Sequence, residues 1–236
     1  MSWTIGFDAD DTLWHNENIF SQIHAKYASL LAHYEDAATV EKELFDTEMR
    51  NLSYYGYGIK GFTLSMIETA IEITGSRVTA AEIATILAFA REMQSAPVQL
   101  IENVETTVRS LARSFPLILI TKGDLFDQES KLARSGLAGC FSHVEIVSEK
   151  HEETYRRILA RHAIDPARFV MVGNSMRSDI LPAVAAGATG VFIPYHLTWA
   201  HEHATTEAET PGVTHLGSIR ELPSFVHSLT THFPNS

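Results

Sequence analysis

Apolar positions change their spacing along the chain, and the changes mark out its elements. Short runs rich in β-branched residues occur at Trp3 to Phe7, Leu117 to Ile120, Val144 to Val147, Phe169 to Val172 and Gly190 to Ile193. These read as buried parallel strands, because strands covered on both faces are apolar throughout instead of alternating. Helical patterns separate the later runs, so strand and helix alternate from about residue 104. That order predicts an α/β fold, a doubly wound parallel sheet with helices on both faces, which the first strand joins. Residues 15 to 100 have the period of amphipathic helices instead: Phe20, Ile23, Tyr27, Leu30, Leu31 and Tyr34 recur at helical spacing, as do Leu64, Ile67 and Ile71. Thr79 and Glu82 form a capping-box signature ahead of Ile83, Ile86, Leu87 and Ala90, and Pro97 ends the pattern. The predicted organisation is a core from residues 1–14 and 101–236, interrupted by an all-helical insert at 15–100. Hinges are expected near 14–18 and 95–101.

Composition narrows the class. A chain of 236 residues with 45% apolar and 20% charged residues has enough apolar material for a sizeable core. Its formal charge of -11 argues against nucleic acid or an anionic membrane as the main partner, since phosphate backbones are bound through clustered Lys and Arg. The expected partner is a small molecule, bound by a monomer or homodimer. One cysteine, Cys140, cannot form an internal disulfide and reads as a small buried hydrophobe. The first residues show neither a signal-peptide pattern nor a membrane span, so the expected compartment is the cytoplasm.

In an open parallel sheet, ligands bind at the carboxyl ends of the strands. The residues placed there are polar in every case. Asp8, Asp10 and Thr12 follow the first strand; Thr121, Lys122 and Gly123 follow the second; Lys150 comes shortly after the third. The fourth leads into Gly173-Asn174-Ser175-Met176-Arg177-Ser178-Asp179.

Asp-x-Asp-x-Thr after a first strand, then Thr, Lys and a Gly-x-Ser-x-x-Ser-Asp turn in order, resembles the haloacid-dehalogenase superfamily over residues 1–14 and roughly 101–193. The resemblance implies a phosphatase with a Rossmann-like core, whose helical insert is a C1-type cap selecting the substrate. It also implies that Asp8 is the nucleophile and forms an aspartyl-phosphate. A phosphate dianion repels a carboxylate, so attack by Asp8 calls for a hard cation such as Mg²⁺ between them. Asp10 would lend the metal its backbone carbonyl, leaving its side chain to protonate the leaving oxygen and deprotonate water. Thr121 and the amide of Lys122 would hold phosphoryl oxygens, and Lys150 would offset the negative charge. By resemblance Thr12 supports the first turn. In the fourth motif the family's usual acid is replaced by Asn174, whose amide oxygen still suits Mg²⁺ but carries no charge. Asp179 is therefore expected as a direct or water-mediated ligand, with Ser175 and Ser178 supporting it. Asp11 reads as a solvated turn carboxylate.

In the insert, Tyr54-Tyr55-Gly56-Tyr57-Gly58-Ile59-Lys60-Gly61-Phe62 suggests two arrangements. It is either a mobile loop lining the substrate entrance, with Tyr57 against the substrate and Lys60 meeting a second anionic group, or a turn between two helices of the insert whose rings pack on the core. His196, His201 and His203 lack a zinc spacing and read as a polar loop; His151-Glu152-Glu153 lacks the second histidine of a zinc-protease helix. The expected function is Mg²⁺-dependent phosphomonoester hydrolysis on a small phosphorylated metabolite. The alternatives are a haloacid dehalogenase, which has no use for Asp10, a phosphomutase of the same superfamily, and a catalytically weak phospho-ligand-binding member.

Overall fold

A computed structural model describes residues 3–197 and 210–232. Its six-stranded sheet consists of β1 (Thr4–Phe7), β2 (Leu117–Lys122), β3 (His143–Val147), β4 (Phe169–Gly173), β5 (Thr189–Phe192) and β6 (Val213–His215). The strands lie in the order β3-β2-β1-β4-β5-β6, and every neighbouring pair is parallel. Parallel strands need crossovers, supplied here by α5 (Val104–Leu111), α6 (Leu125–Ser135), α7 (Glu152–Arg161) and α8 (Leu181–Ala185); α9 (Leu222–His232) follows β6. The strand alternation divides the core. Ile5, Phe7, Leu117, Leu119, Val170, Val172 and Val191 face one way and pack with Val104 and Val108 of α5 and Val226 of α9. Ile118, Ile120, Phe169 and Met171 face the other way and pack with Tyr155, Ile158 and Ala183. β6 was not expected from the sequence: it is only three residues long, half-buried to exposed, and so carries no apolar run.

Contacts divide the chain into two compact units. Met1–Glu17, Val98–Lys122 and Lys131–Ser236 form the one that holds the sheet; Asn18–Pro97 and Gly123–Ser130 form the other. The second unit is built from α1 (Glu17–Leu31), α2 (Ala37–Tyr55), α3 (Ile59–Ile73) and α4 (Ala80–Ser95). Its core joins Ile23, Tyr27 and Leu31 with Val40, Leu44, Phe62, Met66, Ile86 and Met93. Thr79 and Glu82 make the reciprocal capping box at the start of α4.

The tyrosine segment is a turn between two helices, as in the second expected arrangement, but Tyr54 and Tyr55 do not pack as expected there. α2 continues through Tyr55 and α3 begins at Ile59, so only Gly56 to Gly58 form the connection. Gly56 (φ 68°) and Gly58 (φ 106°) take left-handed conformations that end one helix and start the next. Tyr54 and Tyr55 are exposed, at 80% and 50%, so their rings are not packed on a core. Among the described residues no helix is long and apolar enough to cross a membrane.

Candidate active site

Because all strands run the same way, the carboxyl ends of β1, β2, β3 and β4 share one edge of the sheet. Asp8 follows β1 directly, and its amide donates to the carbonyl of Val172 on β4 at 2.9 Å, extending the pairing one residue beyond the strand. The carboxylate is buried, at 7% exposure. Oδ1 accepts from the ammonium of Lys150 and Oδ2 from the hydroxyl of Thr12 at 2.9 Å. Thr12 Oγ1 also lies 3.0 Å from Asn174 Oδ1, so one hydroxyl sits between the first and fourth motifs.

Lys150, 3% exposed, is shared: its Nζ donates to Asp179 Oδ1 at 2.8 Å as well as to Asp8. Asp179 Oδ2 accepts the amide of Ser175 at 3.0 Å. The Met176–Ile180 segment forms a π turn, with Ser175 Oγ accepting the amide of Ser178 at 3.0 Å. Gly173 makes this approach possible, since a Cβ there would lie 2.3 Å from Asp179 Oδ2. Two buried carboxylates around one ammonium leave a negative excess. Burial and the charge of Asp179 therefore push the Asp8 carboxyl up, against the pull of Lys150, and the two carboxylates hold Lys150 well above its usual value.

Thr121 is buried at the end of β2. Lys122 reaches toward the fourth motif, donating to Ser178 Oγ at 2.9 Å, with Glu149 at 3.8 Å. Asp8, Thr12, Lys150, Asn174 and Asp179 are thus linked through direct contacts, and Lys122 joins them through Ser178 and Ser175. Asp10 faces other partners. Its Oδ1 accepts from the Trp14 indole at 2.7 Å and from Lys131 Nζ at 2.8 Å, and its Oδ2 accepts from Lys131 at 2.9 Å. Lys131 and Trp14 were absent from the sequence reading. The available signal was a lysine on the inward face of α6, three and four residues after the buried Gln128 and Asp127.

Asp11 is not a solvated carboxylate. It adopts φ 60°, is 9% exposed, and its Oδ1 accepts the amides of Asn16 at 2.8 Å and Glu17 at 3.1 Å, capping the entry to α1. Burial raises its carboxyl to about 7 despite these bonds. His15 Nδ1 lies 2.6 Å from the Tyr195 hydroxyl, and the His196 ring lies tilted against Tyr195 with centroids 4.3 Å apart; His201 and His203 lie outside the described residues.

In the helical unit, Lys60 pairs with Asp124 at 2.9 Å and sits 5.9 Å from the Phe126 ring, so an anionic ligand would have to compete with Asp124 for it. Tyr57 is half-buried in the short connection between α2 and α3. Gly123 has φ 134°, and a Cβ there would come 3.1 Å from Gln128 Nε2, so the turn after β2 suits glycine.

The donors around Asp8 are hard oxygens with net negative charge: Asp8, Asp179 and the amide oxygen of Asn174. Each carboxylate oxygen keeps a second lone-pair direction beyond its hydrogen bond, so the set fits a small divalent cation with oxygen ligands.

A family model described as haloacid dehalogenase-like hydrolase matches residues 4–187. A solved haloacid dehalogenase-like family hydrolase from Xanthomonas campestris is 39% identical and superposes with a TM-score of 0.88, covering 98% of this chain and 93% of that one. A HAD-hydrolase from Bacillus subtilis, solved with magnesium bound, superposes at 0.68 with 15% identity over 96% of this chain and 100% of its own, which speaks for the fold alone. A glyceraldehyde 3-phosphate phosphatase from Methanothermobacter thermautotrophicus is 32% identical over 126 residues. That match spans about half of each chain, 51% of this one and 55% of the relative.

Proposed function

Because the chain belongs to the haloacid dehalogenase-like hydrolase family and is a hydrolase, we propose that it cleaves phosphomonoesters of small metabolites with Mg²⁺, through an aspartyl-phosphate on Asp8. The observation that carries this reading is the buried Asp8 carboxylate, held by Lys150 and Thr12 at the end of β1, with a second carboxylate, Asp10, two residues on. A bound Mg²⁺ would be held by Asp8, the Asp10 carbonyl, Asn174 and Asp179, and would screen the repulsion between nucleophile and phosphate.

The chain's own residues then divide the work. An Asp8 oxygen attacks phosphorus while the ester P–O bond breaks, and Asp10 gives its proton to the departing oxygen. Asp10 next takes a proton from water as that water attacks the phosphorus and releases Asp8, so ester and water become alcohol and inorganic phosphate. Thr121 and the amide of Lys122 orient phosphoryl oxygens, and Lys150 balances charge in a site too buried for water to do so. The helical unit serves as the substrate-selecting cap, with Tyr57 and Lys60 as its contributions. The pair Asp8 and Asp10 supports phosphoryl transfer over dehalogenation, which has no leaving oxygen to protonate. The phosphatase named among its relatives acts on a triose phosphate, an ester of the class proposed here.

The test is hydrolysis of p-nitrophenyl phosphate with Mg²⁺, with chelator, and by Asp8→Asn. Loss of turnover on chelation and in the variant is expected. Turnover that survives either change refutes the mechanism.

A further inference from the structure

Lys131 is a costly residue where it stands. Its side chain is 12% exposed, and ordering a lysine sacrifices the rotamer entropy of a long flexible stem. Its Nζ is directed at three acceptors: Asp10 Oδ1 at 2.8 Å, Asp10 Oδ2 at 2.9 Å and Asn16 Oδ1 at 3.2 Å. An ammonium carries three protons, enough to serve both carboxylate oxygens and the segment that follows them. The Trp14 indole adds a third hydrogen bond to the Asp10 carboxylate at 2.7 Å, on Oδ1. Charge-assisted bonds to both oxygens fix the plane of the Asp10 carboxylate as well as its position, which one neutral donor does not achieve.

We propose that Lys131 is the positioning residue of Asp10, locking the orientation in which that carboxylate exchanges protons. The inference rests on the acid–base role given to Asp10 above. Lys131 touches no reacting atom and acts through Asp10 alone. Its place on α6 suits the task, because a helix holds a side chain more rigidly than the turn that carries Asp10. Asn16, the third acceptor, ties the same ammonium to the entry of α1, next to the amide that Asp11 caps. Misorienting a proton-transfer group by about 1 Å costs on the order of 100-fold in rate.

The experiment is a double-mutant cycle in kcat for p-nitrophenyl phosphate with saturating Mg²⁺, using Lys131→Met, Asp10→Asn and the pair. Lys131→Met is expected to lower kcat by about 10-fold to 100-fold. KM should stay within about three-fold, and Lys131→Arg should recover most of the rate, since it keeps a charged, bidentate donor. In the Asp10→Asn background, Lys131→Met should cost less than about two-fold, because its target is already gone. Equal losses in both backgrounds, or an unchanged kcat in Lys131→Met, overturn the positioning role. An unchanged kcat in Asp10→Asn instead overturns the acid–base reading from which the inference starts. Lys131→Gln, which keeps the length and a donor but not the charge, replaces Lys131→Met if the latter lacks a native unfolding transition; it should show the same dependence on Asp10.

Discussion

Lys150 offers the sharpest test of the site's electrostatics. Lys150→Met keeps the length of the buried stem and removes the ammonium that touches both Asp8 and Asp179. At 2.8 Å and an effective dielectric constant near 20, the attraction to Asp179 alone is about 6 kcal/mol. Part of that is returned because the ammonium no longer has to be desolvated, and breaking a buried pair by deleting one partner costs about 3 to 5 kcal/mol net. The loss should depend on pH with a definite sign. Asp8 is already raised in the folded state by burial and by Asp179, and without Lys150 it rises further. A carboxyl whose folded value exceeds its unfolded one binds a proton more tightly when folded, so stability falls as pH climbs from about 4 through the folded value. Below about 7 Asp8 is protonated in both folded proteins; above it only the variant keeps the proton, so the part of the loss carried by Asp8 grows by about 1.4 kcal/mol per pH unit from there. Urea unfolding in the presence of chelator, at pH 5 and pH 8, should show a stability gap of several kcal/mol between wild type and variant that is larger at pH 8 by on the order of 1 kcal/mol. A gap below about 1 kcal/mol, or one independent of pH, would mean that Lys150 does not hold the two carboxylates together.

Three further expectations follow from individual contacts. Gly173→Ala drives a methyl group to 2.3 Å from Asp179 Oδ2, so it should cost about 1 to 3 kcal/mol in thermal unfolding and most of the activity; native behaviour would mean that Asp179 need not sit where it does. Burial, helped by Asp11 and Asp10, raises the Glu17 carboxyl from 4.5 to about 7. Glu17→Gln should therefore stabilise the metal-free protein by roughly 3 kcal/mol at pH 8 and hardly at all at pH 4, and equal effects at both would contradict the shift. Asn174→Asp places a negative charge beside the hydroxyl that contacts Asp8, and calorimetric titration should find Mg²⁺ bound tighter by on the order of 1 kcal/mol. Weaker binding would mean that Asp179 already fills that place and the added charge only repels.

What the chain's own order of residues determined is the scaffold and the shared edge of the sheet. Apolar runs long enough only for strands force Leu117 to Ile120 and Phe169 to Val172 into a buried parallel sheet, and polar residues immediately after such runs then lie at one edge. Asp8, Thr121, Lys150 and Asn174 are legible on that ground, because their strands fix their height. The pairing of Lys150 with both Asp8 and Asp179 spans 142 and 29 positions in sequence, which periodicity does not encode, and the π turn with its need for Gly173 is a local departure from the helical period. Lys131 was hidden for the same reason: on a helical wheel a lysine beside buried positions resembles a snorkelling surface residue, and only the fold brings the Asp10 carboxylate to its tip. The turn between two helices at Gly56 to Gly58 was legible from its glycines, but the place of the rings was not: Tyr54 and Tyr55 extend α2 and stand in solvent. Local patterns are set by the backbone's two periods, whereas the charge balance of a site is set by which distant side chains are buried together, and that is decided only when the sheet closes on its helices.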